Sequence, residues 1–319
     1  MELSELLDNV PVPSIAVGTM YFGSTVPAHA AHRILDAARE RGATFWDTAN
    51  NYAFWTPGGT GNESEECLGA WFAARGAGAR DEVVLASKVG ARPRPGGTDV
   101  SHGLGLSAPA VREQVQESLR RLGTDHLDVL YAHVDDTAVP LEETLDAFAG
   151  LQREGLTRVI AASNLTADRL RTAVATAGAA GYRALQQRFT YLVPDPSADL
   201  RPHVLLDEDV EQVCVESGTA MLGYSPLLSG AYTRSERPLP EGYRTSATDG
   251  ALRALHEAAA QVGLDAGQVV LAWMGQRARA VLPIVGVSTP DQLHSAVDAA
   301  TVTLPPDTLT RLDVARSAT

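Results

Sequence analysis

The chain has 319 residues, and 26 Lys+Arg against 39 Asp+Glu give a formal net charge of −13. With 45% hydrophobic and 20% charged residues, it reads as a cored globular protein and not as a disordered chain; its length suits two domains or, as the strand–helix alternation below favours, a single domain over residues 1–319. The acidic balance excludes a nucleic-acid backbone as partner, which would need clustered Lys/Arg, and no stretch approaches the roughly 18 apolar residues of a membrane span.

Strand and helix signals then alternate along the chain. SIAVGT (14–19) reads as a short strand, and AAHRILDAARERG as a helix stopped by Gly42. ATFWDT ends a second strand at Thr48, and a helix runs from Ser64 to Gly76. EVVLASKV (82–89) is a third strand, followed by an amphipathic helix from near Ser107. LDVLYAH (127–133) and LEETLDAFAGLQREG form the fourth unit, with Gly155 just past the helix end. TRVIAASN is the fifth strand, and Thr166 caps its helix.

ALQQRFT (184–190) is a sixth, more polar strand, with DVEQVCVESG as its helix. AMLGYSP is the seventh, followed by two helices, ALRALHEAAAQVG and AGQVVLAWMGQ. AVLPIVG is the eighth, then TPDQLHSAVDAA and a last helix over 306–313. Eight units of roughly 40 residues fit an α/β fold of the (β/α)8 TIM-barrel type. Apolar strands separated by striped helices demand a parallel sheet covered on both faces. The rival, a doubly wound open sheet, would carry a G-x-G-x-x-G after the first strand, and Gly18 to Gly23 does not supply it.

Three long loops leave C-terminal strand ends: 53–62, 90–106 and 228–250. Loops of that length in a compact domain usually wall or cover a site. The strand ends themselves carry Asp47, Lys88, His133, Ser163-Asn164, Gln186 and Tyr224, where burial makes a polar group costly unless it is paired. In a barrel all of them converge on one mouth.

Asp47 and Lys88 close neighbouring strands and can pair. The Lys88 ammonium would lower the pKa of Tyr52 below the phenol value of about 10 and make it a general acid. His133 can donate to the same oxygen, which makes the set a device for protonating a developing alkoxide. A metal held by His133, Asp47, Asp135 and Asp136 is an alternative, opposed by the Lys88 charge among the ligands. An electron donor laid across the mouth is the other, with Ser163, Asn164 and Gln186 on a planar carboxamide and Tyr224 stacked on a flat ring. Its phosphates would meet Ser225 to Ser229 and the N-terminus of the last barrel helix.

FWDTANNY (45–52), SEECLG, ASK (86–88), SLRRLGTDHLDVLYAH, AASN, YSPLLSG and PIVGVSTPDQL together resemble the aldo-keto reductase family over nearly the whole chain. The resemblance implies a barrel that uses NADPH without a dinucleotide-fold domain, with Asp47, Tyr52, Lys88 and His133 as catalytic tetrad. It implies cofactor contacts from Gly18, Thr19, Met20 and Asp47, and from Ser163, Asn164, Gln186 and Tyr224. Further contacts would come from Ser225, Pro226, Leu227, Ser229 and Gly230, and from Gly286, Ser288 and Gln292. The implied reaction is carbonyl reduction, with hydride from the nicotinamide and the proton from Tyr52.

Two departures stand out. NADPH-preferring members usually place Arg or Lys just after the last glycine, but 283–296 contains neither, and Ala296 stands where an Asn is common. Ser288, Thr289 and the helix N-terminus, or Arg234 or Arg237 from the loop, could hold a 2′-phosphate, and NADH remains an open second cofactor. The loop after Tyr52 is also longer than usual and adds Phe54 and Trp55, which with Tyr21 and His133 would wall the substrate site. Trp46 and Trp55 are both expected to flank it. These walls suit a small-molecule carbonyl substrate such as a keto-sugar or natural-product ketone.

Two other classes stay open: a cofactor-binding regulatory barrel without turnover, and a metal-dependent barrel hydrolase or isomerase. Cys67 and Cys214 sit in helical patterns without metal-ligand spacing. They are expected to be buried small hydrophobes, and they predict a reduced, cytoplasmic setting. The opening MELSELLDNVPVPS has no secretory core, and an Arg/Ala/Gly-rich composition looks bacterial. Oligomeric state is open.

Overall fold

A computed structural model of the chain describes Leu7 and residues 12–76, 78–95, 97, 99–100 and 103–317. Most of the opening segment 1–11, and residues 96, 98, 101 and 102 of the 90–106 loop, lie outside the described residues. The expected architecture is observed. Eight parallel strands close in sequence order, from β1 (Ala16–Gly18) and β2 (Phe45–Asp47) to β7 (Ala220–Tyr224) and β8 (Leu282–Gly286). Between them lie β3 (Val84–Val89), β4 (Leu127–Ala132), β5 (Thr157–Ser163) and β6 (Ala184–Arg188). The β1–β8 seam pairs Ala16 with Ile284 and Gly18 with Gly286.

The helices pack outside. They are α1 (Ala28–Glu40), α2 (Glu63–Arg75), α3 (Ala108–Leu122), α4 (Leu141–Arg153), α5 (Ala167–Ala177) and α6 (Glu208–Ser217). Then come α7 (Thr248–Val262), α8 (Ala266–Gln276), α9 (Pro290–Thr301) and α10 (Pro306–Ser317). Several boundaries follow local chemistry. Thr166 accepts from Arg169 N at the start of α5, and Asp265 and Gln268 form a reciprocal capping box on α8. Gly123 closes α3 at φ 65°, a conformation that disfavours a side chain. α7 starts three residues earlier than the apolar pattern implies, because the Thr248 hydroxyl donates to Tyr243 O and accepts from Thr245 N. α10 continues past Asp313 to Ser317.

Side chains on a strand alternate between faces. The inward set forms the barrel interior: Ala16, Phe45, Ala86, Tyr131, Ala161, Ala184, Leu222 and Ile284, with Leu7 beneath. Their outward neighbours join the larger core between strands and helices. Trp46 is one of these, edge-on to Trp71 at 4.8 Å and stacked on Phe72 at 5.8 Å. It therefore faces away from the mouth, contrary to the expectation that it flanks the site. β6 is polar because Gln187 points outward and ties Leu165, donating to its O at 2.7 Å and accepting from its N at 3.3 Å.

Candidate active site

The pleat sets the site. Asp47, Lys88, His133, Ser163, Gln186 and Tyr224 each stand two residues after an inward core residue: Phe45, Ala86, Tyr131, Ala161, Ala184 and Leu222. The period of two thus aims all six into the barrel, one layer above the apolar plug. Register completes it, with Lys88 beside Tyr131 and Ser163 beside Gln186.

Lys88 is fully buried. Its three ammonium hydrogens have three acceptors: Asp47 Oδ2 at 2.5 Å, Thr48 O at 2.8 Å and Tyr52 Oη at 3.0 Å. Burial works against its charge, but Asp47 and Tyr52 outweigh it and hold its pKa above the ordinary lysine value. The other Asp47 oxygen, Oδ1, accepts from Gln186 Nε2 at 2.8 Å. Gln186 lines the cavity as expected, and it also spends a hydrogen bond on orienting the carboxylate.

Tyr52 sits in the loop that follows β2, with its O accepting from Ser64 N at 3.2 Å. Its ring lies edge-on to His133 at 5.6 Å and to Trp55 at 6.0 Å. The expectation of a lowered phenol pKa is overturned. Burial raises it, Lys88 lowers it, Asp47 raises it again, and the balance lies above the usual value of 10.0. Desolvation is the largest of these influences, and the Asp47 carboxylate offsets part of what the ammonium does. His133 is held well below 6.5 by burial and then by the Lys88 and His203 charges, so its imidazole is neutral. Its Nδ1 is buried with no hydrogen-bond partner among the described residues.

Beside these groups Asn164, at φ 57°, knots several elements together. Its Nδ2 donates to His133 O and Ser163 Oγ, both at 3.0 Å. Its Oδ1 accepts from Tyr224 Oη at 2.7 Å and from Val204 N at 3.1 Å. Ser163 Oγ donates to Gln186 O at 2.7 Å. The Tyr224 hydroxyl also meets His203 Nδ1 at 3.0 Å, which with Asn164 fixes where its side chain ends.

A cavity of about 1090 Å³ runs from this cluster to the start of α9. Gly18, Met20, Tyr21, Trp55 and Tyr224 line the end beside this cluster, and Ser225 to Leu227, Ser229 and Gly230 the stretch that follows. Ser225, Leu228 and Ser229 take φ of 57°, 45° and 58° there, which curls the backbone around the space. Gly286, Ser288 and Gln292 line the outer end. A Cβ on Gly286 would meet no protein atom within 4 Å, so the backbone there is open to a ligand. Arg234 and Arg237 reach the same wall, as do Asp265 and Asp291. Gln292 Oε1 accepts from both Ser288 N (2.8 Å) and Ser288 Oγ (3.0 Å).

Two expected contacts are not brought to the wall. The Thr19 side chain turns inward to Asp47 O and Ser64 Oγ, at 3.0 and 2.9 Å. Phe54 backs the Trp55 ring at 5.1 Å rather than facing the cavity. The carboxylates of the metal alternative do not converge either. Asp135 pairs with Arg169 at 2.9 Å, Asp136 accepts from Leu106 N at 2.9 Å, and Asp47 is committed to Lys88 and Gln186. Cys67 and Cys214 are buried, with thiols pushed up to about 11 and about 12.

The structure adds Asn51, Pro202 and His203 to the lining. The last two come from the 189–207 connection between β6 and α6, whose length is the one signal that would have pointed to them. Among the described residues no helix is long and apolar enough to cross a membrane.

The arrangement can place a proton donor, a neutral imidazole and a buried charge pair beside one end of an extended cavity. Comparison with known proteins gives the family. The family model described as Aldo/keto reductase family matches residues 14–316. An uncharacterized oxidoreductase, YrpG, of Bacillus subtilis (strain 168) is 29% identical over 95% of this chain and 91% of its own. The aldo-keto reductase yakc [NADP(+)] of Schizosaccharomyces pombe is 27% identical over 93% and 86%. The L-glyceraldehyde 3-phosphate reductase of Escherichia coli (strain K12) is 26% identical over 90% and 84%.

Proposed function

The chain belongs to the aldo/keto reductase family, and from that premise we propose that it is an NADPH-dependent carbonyl reductase with Tyr52 as proton donor. One observation carries the reading: the Tyr52 hydroxyl accepts from a fully buried Lys88 at 3.0 Å, at the wall of a cavity it shares with His133. The residues present suit a dinucleotide. Curled backbone at Ser225–Gly230, the open face of Gly286 and the cationic Arg234 and Arg237 line one continuous space. The name of the yeast relative agrees with the NADP form. NADH is the second candidate, since residues 283–296 at the outer end carry no Lys or Arg to meet a 2′-phosphate.

When bound, the reduced dinucleotide supplies hydride at its nicotinamide C4 to the carbonyl carbon. Tyr52 gives its proton to the carbonyl oxygen as that oxygen gains charge. The Lys88 ammonium stabilises the phenolate left behind. Asp47 keeps Lys88 charged and in place, and Gln186 keeps Asp47 in place. His133 is neutral, and with Nδ1 sealed away its Nε2 is the edge that orients the carbonyl. Tyr224, locked by Asn164 and His203, offers a ring face for the nicotinamide. Tyr21 and Trp55, 40% and 44% exposed at the mouth, suit the ring face of a small keto-sugar or natural-product ketone.

The test is Tyr52→Phe assayed on a panel of neutral aldehydes and cyclic ketones. Turnover is expected to fall by about 10²–10⁴-fold, the range of a positioned acid. NADPH binding, followed by quenching of Trp55 fluorescence, is expected to hold. Reduction at near wild-type rate by the variant overturns the assignment.

A further inference from the structure

We propose that Arg92 is a positioning residue for Tyr52, its guanidinium fastening both ends of the 50–62 loop over the barrel mouth. The proposal rests on the reading of Tyr52 as proton donor.

Arg92 lies just after β3 and is half-buried. Its own backbone is held, since its O accepts from Leu104 N at 2.8 Å while Gly90 O accepts from Gly105 N at 3.1 Å. The side chain turns away from this ladder toward the neighbouring loop. Nη1 donates to Asn50 O and, at 3.4 Å, to Gly61 O, and Nη2 donates to Thr60 O at 3.1 Å. Asn50 stands two residues before Tyr52, whereas Thr60 and Gly61 lead into α2. One planar cation therefore joins the outgoing and returning limbs of the segment that carries both Tyr52 and Trp55.

The loop needs such a clasp. It contains Gly58, Gly59 and Gly61, residues that lose much conformational freedom on ordering. One backbone bond, from Ser64 N to Tyr52 O at 3.2 Å, closes the base of the loop, and the side-chain ties besides Arg92 are local to one limb. Glu63 accepts from Thr60 N at 2.6 Å and Gly61 N at 2.8 Å, and Asn51 Nδ2 donates to Ala91 O at 3.2 Å. Among these side chains Arg92 is the one that grips both limbs. A rigid fork of donors can serve diverging carbonyls at once, which the point charge of a lysine does less well. Arg92 is not among the charges that shift Tyr52, so its part is geometric.

The experiment uses Arg92→Met and Arg92→Lys in the full chain, alone and combined with Tyr52→Phe. R92M is expected to lower kcat on the order of tenfold to a hundredfold, as misplacement of a reacting group by about 1 Å does. NADPH affinity and the alkaline pH midpoint of reduction stay unchanged. Amide hydrogen exchange rises over 50–62 and not in the strands, and R92K recovers part of the rate. In the Y52F background R92M costs nothing further, because the group it positions is gone. Unchanged kcat, or an undiminished loss on top of Y52F, overturns the proposal while leaving Tyr52 as the donor. A near wild-type Y52F overturns the donor assignment and this inference with it. Should R92M not fold, R92K gives the same comparisons.

Discussion

Gln186 reaches from β6 to β2 and donates to Asp47 Oδ1 at 2.8 Å, while Lys88 holds Oδ2 at 2.5 Å. The two oxygens of one carboxylate are thus gripped from different sides of the barrel, and its orientation is over-determined. Gln186→Leu leaves a buried charged acceptor unmet, which is expected to cost roughly 1–3 kcal/mol of stability. It should also slow reduction by loosening Lys88. Urea midpoints and kcat check both effects, and a neutral outcome would mean that water replaces the amide.

Lys88→Met strands the Asp47 charge in the interior. Breaking a buried pair from one side is expected to destabilise by roughly 3–5 kcal/mol. The double variant Asp47→Asn with Lys88→Met should recover part of that loss, since no bare charge remains. Chemical denaturation of the four proteins completes the cycle. Strict additivity would show that the two groups are independent.

The pH dependence follows from burial outweighing Lys88 at Tyr52 and from the depressed pKa of His133. Reduction needs the phenol protonated, so its rate should stay level through neutral pH and fall only above the ordinary phenol range, about 10. Alcohol oxidation needs the phenolate and should rise over the same limb. No inflection is expected near 6.5. For stability the sign runs the other way with acid. His133 binds a proton more readily unfolded than folded, so its contribution is present above its unfolded pKa and is lost as pH falls below it. Replacing His133 with Gln should flatten that acid-side decline in urea titrations at pH 7.5 and 5.5.

Arg234 and Arg237 face the cavity with no carboxylate in ion-pair contact among the described residues. Changing either to Ala should weaken NADPH binding about tenfold or more, as loss of a charged hydrogen bond of about 1.5–3 kcal/mol implies. NADH binding should be unaffected, and added salt should erode the difference. Equal effects on both cofactors would place these guanidiniums away from the 2′-phosphate.

The sequence made the strand-end residues legible for a definite reason. Asp47, Lys88, His133 and Gln186 interrupt apolar runs, and a polar group there has to be explained. Residues outside regular elements offered no such contrast. Phe54 and Trp55 are neighbours of equal apolar character, yet only Trp55 reaches the cavity, because an irregular loop has no period from which to read direction. His203 and Arg92 are ordinary loop residue types whose partners lie 21 and 42 positions away. The Tyr52 pKa runs against the sequence expectation because a sequence displays the ammonium and hides the desolvation. Trp46, by contrast, could have been placed by parity alone, since it adjoins Asp47 on the same strand.

The pleat that aims the six strand-end residues also makes their strands intolerant of length change. One residue inserted between Ala86 and Lys88 would still leave an apolar strand able to complete the barrel, but would turn the ammonium outward among the helices. Insertions and deletions of an odd number of residues before these positions in β2 to β7 are thus silencing even where they do not unfold the chain. The connections at 189–207 and 228–247 carry no such parity, and they can lengthen or shorten while the reacting groups stay in place. Divergence among barrels of this kind is expected to accumulate at the rim, with selectivity changing there while the chemistry is inherited intact.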